Sequence, residues 1–147
     1  MVVVAKNRKA YHDYFIEDEF EAGMVLTGTE IKSIRDGKVQ LKESFISIKD
    51  GEAWIKGMHI AQYDQGNRFN HEEVADRKLL LHDYEIEKLD KAERIKGYTI
   101  VPLDIHLVRG RAKMKIALAK GKQLFDKRQV EKERSMNRDI QKAMKRY

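Results

Sequence analysis

The chain has 147 residues, 41% of them hydrophobic, no cysteine, and 37% charged residues against a usual share of about 25%. That length suits one domain burying about 70% of the surface its unfolded chain exposes, and the missing cysteine excludes a disulfide framework and any cysteine-built metal site. The formal charge of +6 is confined to one end: residues 120–147 hold ten Lys or Arg against four Asp or Glu, whereas residues 1–119 hold twenty of each.

In chain order, the opening MVVVA is too short an apolar run for a signal peptide, and no stretch approaches about 18 apolar residues. A soluble, cytoplasmic chain with no membrane partner is expected. Residues 6–14, KNRKAYHDY, interleave Lys6, Arg8 and Lys9 with Tyr11, His12 and Tyr14. Basic groups hold phosphates and aromatic faces stack on unpaired bases; the alternative is ordinary solubilising charge. A strand is expected over 12–20, with apolar Tyr14, Ile16 and, after a slip, Phe20, continuing over 24–28. Residues 28–37 read as a helix, with Ile31 and Ile34 on one face, Thr29 as N-cap and Gly37 as stop.

Residues 44–60 form the clearest local signal, two strands about an Asp50-Gly51 turn. Trp54 is expected in the core beside Ala53 and Ile55. The polar loop 63–76 is long, hence functional or mobile. RKLLLH (77–82) is a short strand, whose Arg77 and Lys78 join the count of phosphate-binding candidates. A second helix is expected over 84–97, with Ile86, Leu89 and Ile95 near one stripe and Gly97 at its end. Two strands follow, 98–110 and 111–121, joined at Gly110-Arg111; the only proline, Pro102, requires an edge or a bulge. In the last strand Ala112, Met114, Ile116 and Leu118 face one way, and Lys113, Lys115, Ala117 and Ala119 the other. Many short antiparallel strands with two inserted helices suggest a mainly β fold, a small closed barrel without exposed sheet edges.

After Gly121 the pattern changes. From Asp126 onward nothing breaks a helix, and Met136, Ile140, Ala143, Met144 and Tyr147 share one narrow face. Such a helix has too few apolar groups to stand alone; it either docks on the body or waits for a partner. Polyanions suit it, because each neutralised phosphate releases counterions.

No catalytic signature emerges. None of His12, His59, His71, His82 and His106 has a partner at a metal-ligand spacing, and His71-Glu72-Glu73 reads as solvated. There is no phosphate loop, dinucleotide turn or nucleophile elbow. No cofactor and no metal are expected, and an enzyme is not supported.

Six segments in order, NRKAYHDYFI (7–16), FEAGMVLTGTEIKSIRDG (20–37), DGEAWI (50–55), RKLLLH (77–82), GYTIVPL (97–103) and LAKGKQLFDKR (118–128), carry a family resemblance. The chain resembles small protein B (SmpB), the tmRNA-binding, or SsrA-binding, family of bacterial ribosome rescue, from about Lys6 to its C-terminus. The resemblance implies an OB-fold-related barrel over 1–120 with a few outer helices, and a basic tail, 121–147. It implies a non-enzymatic adaptor that grips the tRNA-like domain of tmRNA and brings it to stalled ribosomes for trans-translation, with elongation factor Tu joining indirectly through alanyl-tmRNA. RNA contacts map onto Glu21, Leu80 and Lys113, with Asn7, Arg8, Lys9, His12 and Lys115 expected on the same surface. Gly121 becomes a hinge, and Phe125, Asp126, Lys127 and Arg128 the part of the tail that reaches small-subunit rRNA at the decoding centre, the remainder turning helical in the empty mRNA channel.

Two departures stand out. Phe125 takes a place where the family often has His or Tyr, and the loop before RKLLLH has Glu73 and Ala75 where the family usually carries Pro and an extra Arg. Two other readings remain open: a general OB-type binder of single-stranded RNA using Tyr11, Tyr14 and Trp54, and a metal-dependent nuclease built on His71, Glu72 and the acidic strand.

Overall fold

The computed structural model describes residues 2–63 and 70–122. Its elements are β1 (Val2–Lys6), α1 (Arg8–Asp13), β2 (Tyr14–Met24), α2 (Gly28–Arg35), β3 (Val39–Gln40), β4 (Phe45–Lys49), β5 (Glu52–Lys56), β6 (His59–Ile60), β7 (Arg77–Leu80), α3 (Asp83–Glu93), β8 (Tyr98–Val108) and β9 (Arg111–Gly121). Phe125, Asp126, Lys127 and Arg128, the tail's apolar stripe and the middle of the 63–76 loop lie outside the described residues.

The fold is mainly β and antiparallel. Seven strands run in the order β1-β8-β4-β5-β7-β2-β9, and β9 pairs again with β8, so the succession of pairings returns to β8. The expected Asp50-Gly51 hairpin joins β4 to β5; both residues have positive φ, 52° and 76°, the twist-matched geometry of a two-residue turn. The β8–β9 turn is Arg109-Gly110, one residue earlier than expected, because Val108 and Arg111 are the closing pair.

Two bulges aim the long strands. The slip between Ile16 and Phe20 is a register shift of β2 against β9. It turns Ile16 toward one apolar cluster and Phe20 toward another. A second shift separates Pro102 from Asp104 in β8, the bulge that a proline without an N–H requires. It lets Ile100 and Ile105, five residues apart, both enter the main core, which also holds Ile46, Ile55, Leu79, Leu89, Met114 and Ile116. Full burial of each such side chain stabilises the fold by about 1.5–3 kcal/mol.

The alternation expected of β9 is present. Ala112, Met114, Ile116 and Leu118 join the main core, while Ala117 and Ala119 join Val101 and Leu103 in a smaller outer cluster. Ala10 of α1 closes over that cluster, with Tyr14 and Ile16 against it. The alanines leave room for a helix to approach the sheet closely.

Four local expectations are corrected. The N-cap of α2 is Thr27, not Thr29: Thr27 Oγ accepts from Glu30 N and Glu30 Oε1 accepts from Thr27 N, a capping box. Ile95 follows α3 and is exposed. Trp54 is half-buried on the outer face of β5, because Ala53 and Ile55 take the inward positions. Arg77 is not a surface cation. It is buried, its Nε donates to Glu30 Oε2 at 2.5 Å, and its guanidinium also donates to the carbonyls of Met58 (2.7 Å) and Glu72 (2.9 Å). Among the described residues no helix is long and apolar enough to cross a membrane.

Candidate nucleic-acid interface

Residues directly opposed across strands point to the same face of a sheet. Gly23 of β2 pairs with Leu80 of β7 on one side and Lys113 of β9 on the other; Lys113 pairs with His106 of β8, and His106 with Val3 of β1. A second row runs Glu21, Lys115, Asp104, Lys6. The core side of these strands belongs to Phe20, Ala22, Leu79, Met114 and Ile105, so both rows face outward. The fold thus gathers Glu21, Leu80, Lys113 and Lys115 on one surface. Leu80 is 54% exposed beside Leu79 at 1%, so the middle leucine of RKLLLH is a surface residue. Gly23 carries no side chain between Leu80 and Lys113, and Leu80 packs over it: a Cβ there would stand 3.4 Å from Leu80 Cβ.

The polar groups of the face are tied together. His106 Nε2 lies 2.6 Å from Glu21 Oε1 and His106 Nδ1 lies 2.8 Å from Asp104 Oδ1. The hydrogen bond from His106 holds the Glu21 carboxyl below its ordinary range, with burial opposing and Lys113 assisting. Lys113 Nζ is 3.9 Å from Glu21 Oε2, and Lys115 Nζ 3.6 Å from Glu19 Oε1.

The margin nearest α1 adds an aromatic ring. Lys6 Nζ stands 5.8 Å from the centroid of Tyr11, within cation–π range. Burial pushes the Tyr11 phenol up, Glu19 adds to that, and Lys115 opposes it, so α1 continues the face. At the opposite margin Val108, Arg109, Arg111 and Lys113 line a hollow of about 540 Å³. Arg35 joins this corner by donating to the carbonyl of Gly110 at 2.9 Å. Arg109 and Arg111 were not singled out in the sequence; two arginines flanking a hairpin glycine were the available signal.

The N-terminal motif is split by its helix. Asn7 is 7% exposed: its Oδ1 accepts from Ala10 N as the cap of α1, and its Nδ2 donates to Pro102 O at 2.9 Å. These bonds fasten α1 to β8. Arg8 and His12 are exposed on α1, and His12 contacts Asp13. Lys9 pairs with Glu43 at 3.0 Å across a separate groove of about 300 Å³ that also holds Lys42 and Phe45. A helix turns about 100° per residue, so adjacent residues of the motif cannot share one face. Gly121 is the last residue of β9 and pairs with Tyr14. His71, central to the nuclease reading, has both ring nitrogens engaged, with Thr29 Oγ at 2.9 Å and the Ile60 carbonyl at 3.0 Å. Among the described residues no group of His, Asp and Glu is placed to hold a metal ion.

Comparison with known proteins decides the family. The model described as SmpB protein matches residues 4–146. The chain belongs to the SmpB family. Curated relatives include SsrA-binding proteins of Bacillus cereus (strain AH820) and Bacillus anthracis (strain CDC 684 / NRRL 3495). Each is 54% identical over 143 residues, which cover 97% of this chain and 92% of the relative. A chain of the solved structure described as "tmRNA-SmpB: a journey to the center of the bacterial ribosome" superposes with a TM-score of 0.68 at 45% identity. The match covers 80% of this chain and 82% of that one. SmpB membership therefore rests on both sequence and shape.

Proposed function

We propose that the chain is a non-enzymatic RNA-binding adaptor. It binds the tRNA-like domain of tmRNA through the two outward rows and accompanies that RNA to stalled ribosomes for trans-translation. The observation that carries this reading is the convergence of Glu21, Leu80, Lys113 and Lys115 from three strands in a chain 54% identical to SsrA-binding proteins. The chemistry suits a folded RNA. Lysines meet phosphates, Leu80 packs on a ribose or base face, and Glu21 accepts from a 2′-hydroxyl or a base amino group.

In the same proposal, the circuit of strand pairings is a closed barrel related to the OB-fold, occupying 1–120. The basic residues 121–147 form a tail hinged at Gly121. Phe125, Asp126, Lys127 and Arg128 meet rRNA at the decoding centre, and the rest enters the vacant mRNA channel. Elongation factor Tu joins through the alanine-charged RNA, and the setting is the cytoplasm. A channel filled by message would exclude the tail, which makes the tail a sensor of vacancy.

The test compares binding of the tRNA-like domain with binding of an unstructured RNA of equal length. A strong preference for the folded RNA is expected; equal affinities would favour a general single-strand binder. Removing residues 121–147 is expected to leave the RNA affinity largely intact and to abolish alanine transfer on stalled ribosomes. Equal loss of both activities would overturn the division of labour.

A further inference from the structure

We propose that His106 is a positioning residue for RNA recognition: it fixes the Glu21 carboxylate in one orientation, so that the face offers a set acceptor to a ribose hydroxyl or base amino group. The inference rests on the reading of this face as the RNA-binding surface.

The geometry joins a buried ring to an exposed carboxylate. The side chain of Asp104 is 13% exposed, that of His106 3%, and that of Glu21 51%. Asp104 stands at the register shift of β8 and grips His106 Nδ1, while His106 Nε2 grips Glu21 Oε1. A relay of this kind transmits the rigidity of the buried strand to an exposed side chain that would otherwise sample many rotamers. Lys113 does not replace it. At 3.9 Å from Oε2, the ammonium is beyond hydrogen-bond reach, and exposed pairs of this type constrain little. Oε2 therefore keeps acceptor capacity toward a partner.

The relay also depends on the ring's protons. Both ring nitrogens face carboxylate oxygens, and only a ring protonated on both donates to both. A neutral ring donates to one carboxylate and turns a lone pair toward the other. The charged and titratable groups around it are Glu19 and Glu21 on β2, Lys113 and Lys115 on β9, Asp104 on β8, Lys6 on β1 and the Tyr11 phenol on α1. Among these groups the three lysines are matched in number by three carboxylates.

The experiment is a double-mutant cycle on the full chain, read as affinity for the tRNA-like domain at constant ionic strength. His106→Phe and Glu21→Gln are each expected to weaken binding by about tenfold, the scale of one lost charge-assisted hydrogen bond. The double variant is expected to bind no more weakly than Glu21→Gln alone. If His106→Phe does not fold, Asp104→Asn replaces it in the cycle, with a smaller expected loss. Wild-type affinity in His106→Phe, or a loss that persists undiminished in the Glu21→Gln background, would overturn the inference; the second outcome would show the ring's charge acting directly on phosphate. Unchanged affinity in Glu21→Gln would instead sink the interface reading and this inference with it.

Discussion

Glu21 is a carboxylate on a face read as binding a polyanion, and its partners explain how it is kept there. Its carboxyl is held below the ordinary range mainly by His106. The stability that this contact contributes is therefore present above the unfolded carboxylate range, about 4.3, and is lost as pH falls through the lower folded value. The thermal midpoints of wild type and Glu21→Gln are expected to differ at neutral pH and to converge on acidification. Arg77 makes the opposite point. Its sequence neighbours suggested a phosphate-binding cation, but pairing with the buried Glu30 and with loop carbonyls fixes it inside. Arg77→Met leaves Glu30 without its partner, so a loss of about 3–5 kcal/mol is expected in denaturant unfolding. Neither fate was legible from one residue's type: burial is decided by which loop folds over the side chain. Leu80 was ambiguous for the same reason, since a run of three leucines conceals the strand alternation that exposes the middle one.

At the scale of elements, the sequence showed long periodic segments and hid short ones. The alternation in β9 and the Asp50-Gly51 hairpin were readable because period and turn chemistry agree. The six-residue α1 was not, because it has one buried side chain, Ala10, and its stability comes from tertiary ties rather than periodicity. Among the described residues β1 pairs only with β8, a long-range contact that no local pattern announces. The correct N-cap of α2 lay two residues upstream of the expected one, since Thr27 and Thr29 are both competent and only Thr27 finds Glu30 at the third position. Asn7 holds α1 twice, through Ala10 N and Pro102 O. Asn7→Ala is expected to cost about 1–2 kcal/mol and to speed amide hydrogen exchange within α1 selectively. Uniform acceleration across the sheet would show that the helix does not open on its own.

For the whole molecule, charge is partitioned: residues 1–119 are neutral and 120–147 carry +6. The body places its own cations selectively, with Lys6, Lys113 and Lys115 among carboxylates on the two rows and Arg109 and Arg111 at one corner. Sequence composition revealed the partition but not the placement, which depends on register across four strands. One element spans both halves of the proposed task. β9 bears Lys113 near its start and Gly121 at its end, an interval of about 27 Å at the strand rise of about 3.4 Å per residue. Hydrogen bonds to β2 and β8 on either side keep it from stretching or pivoting. The strand is in effect a ruler: it sets how far from the proposed RNA contact at Lys113 the 26 residues after Gly121 begin, independent of what those residues later meet.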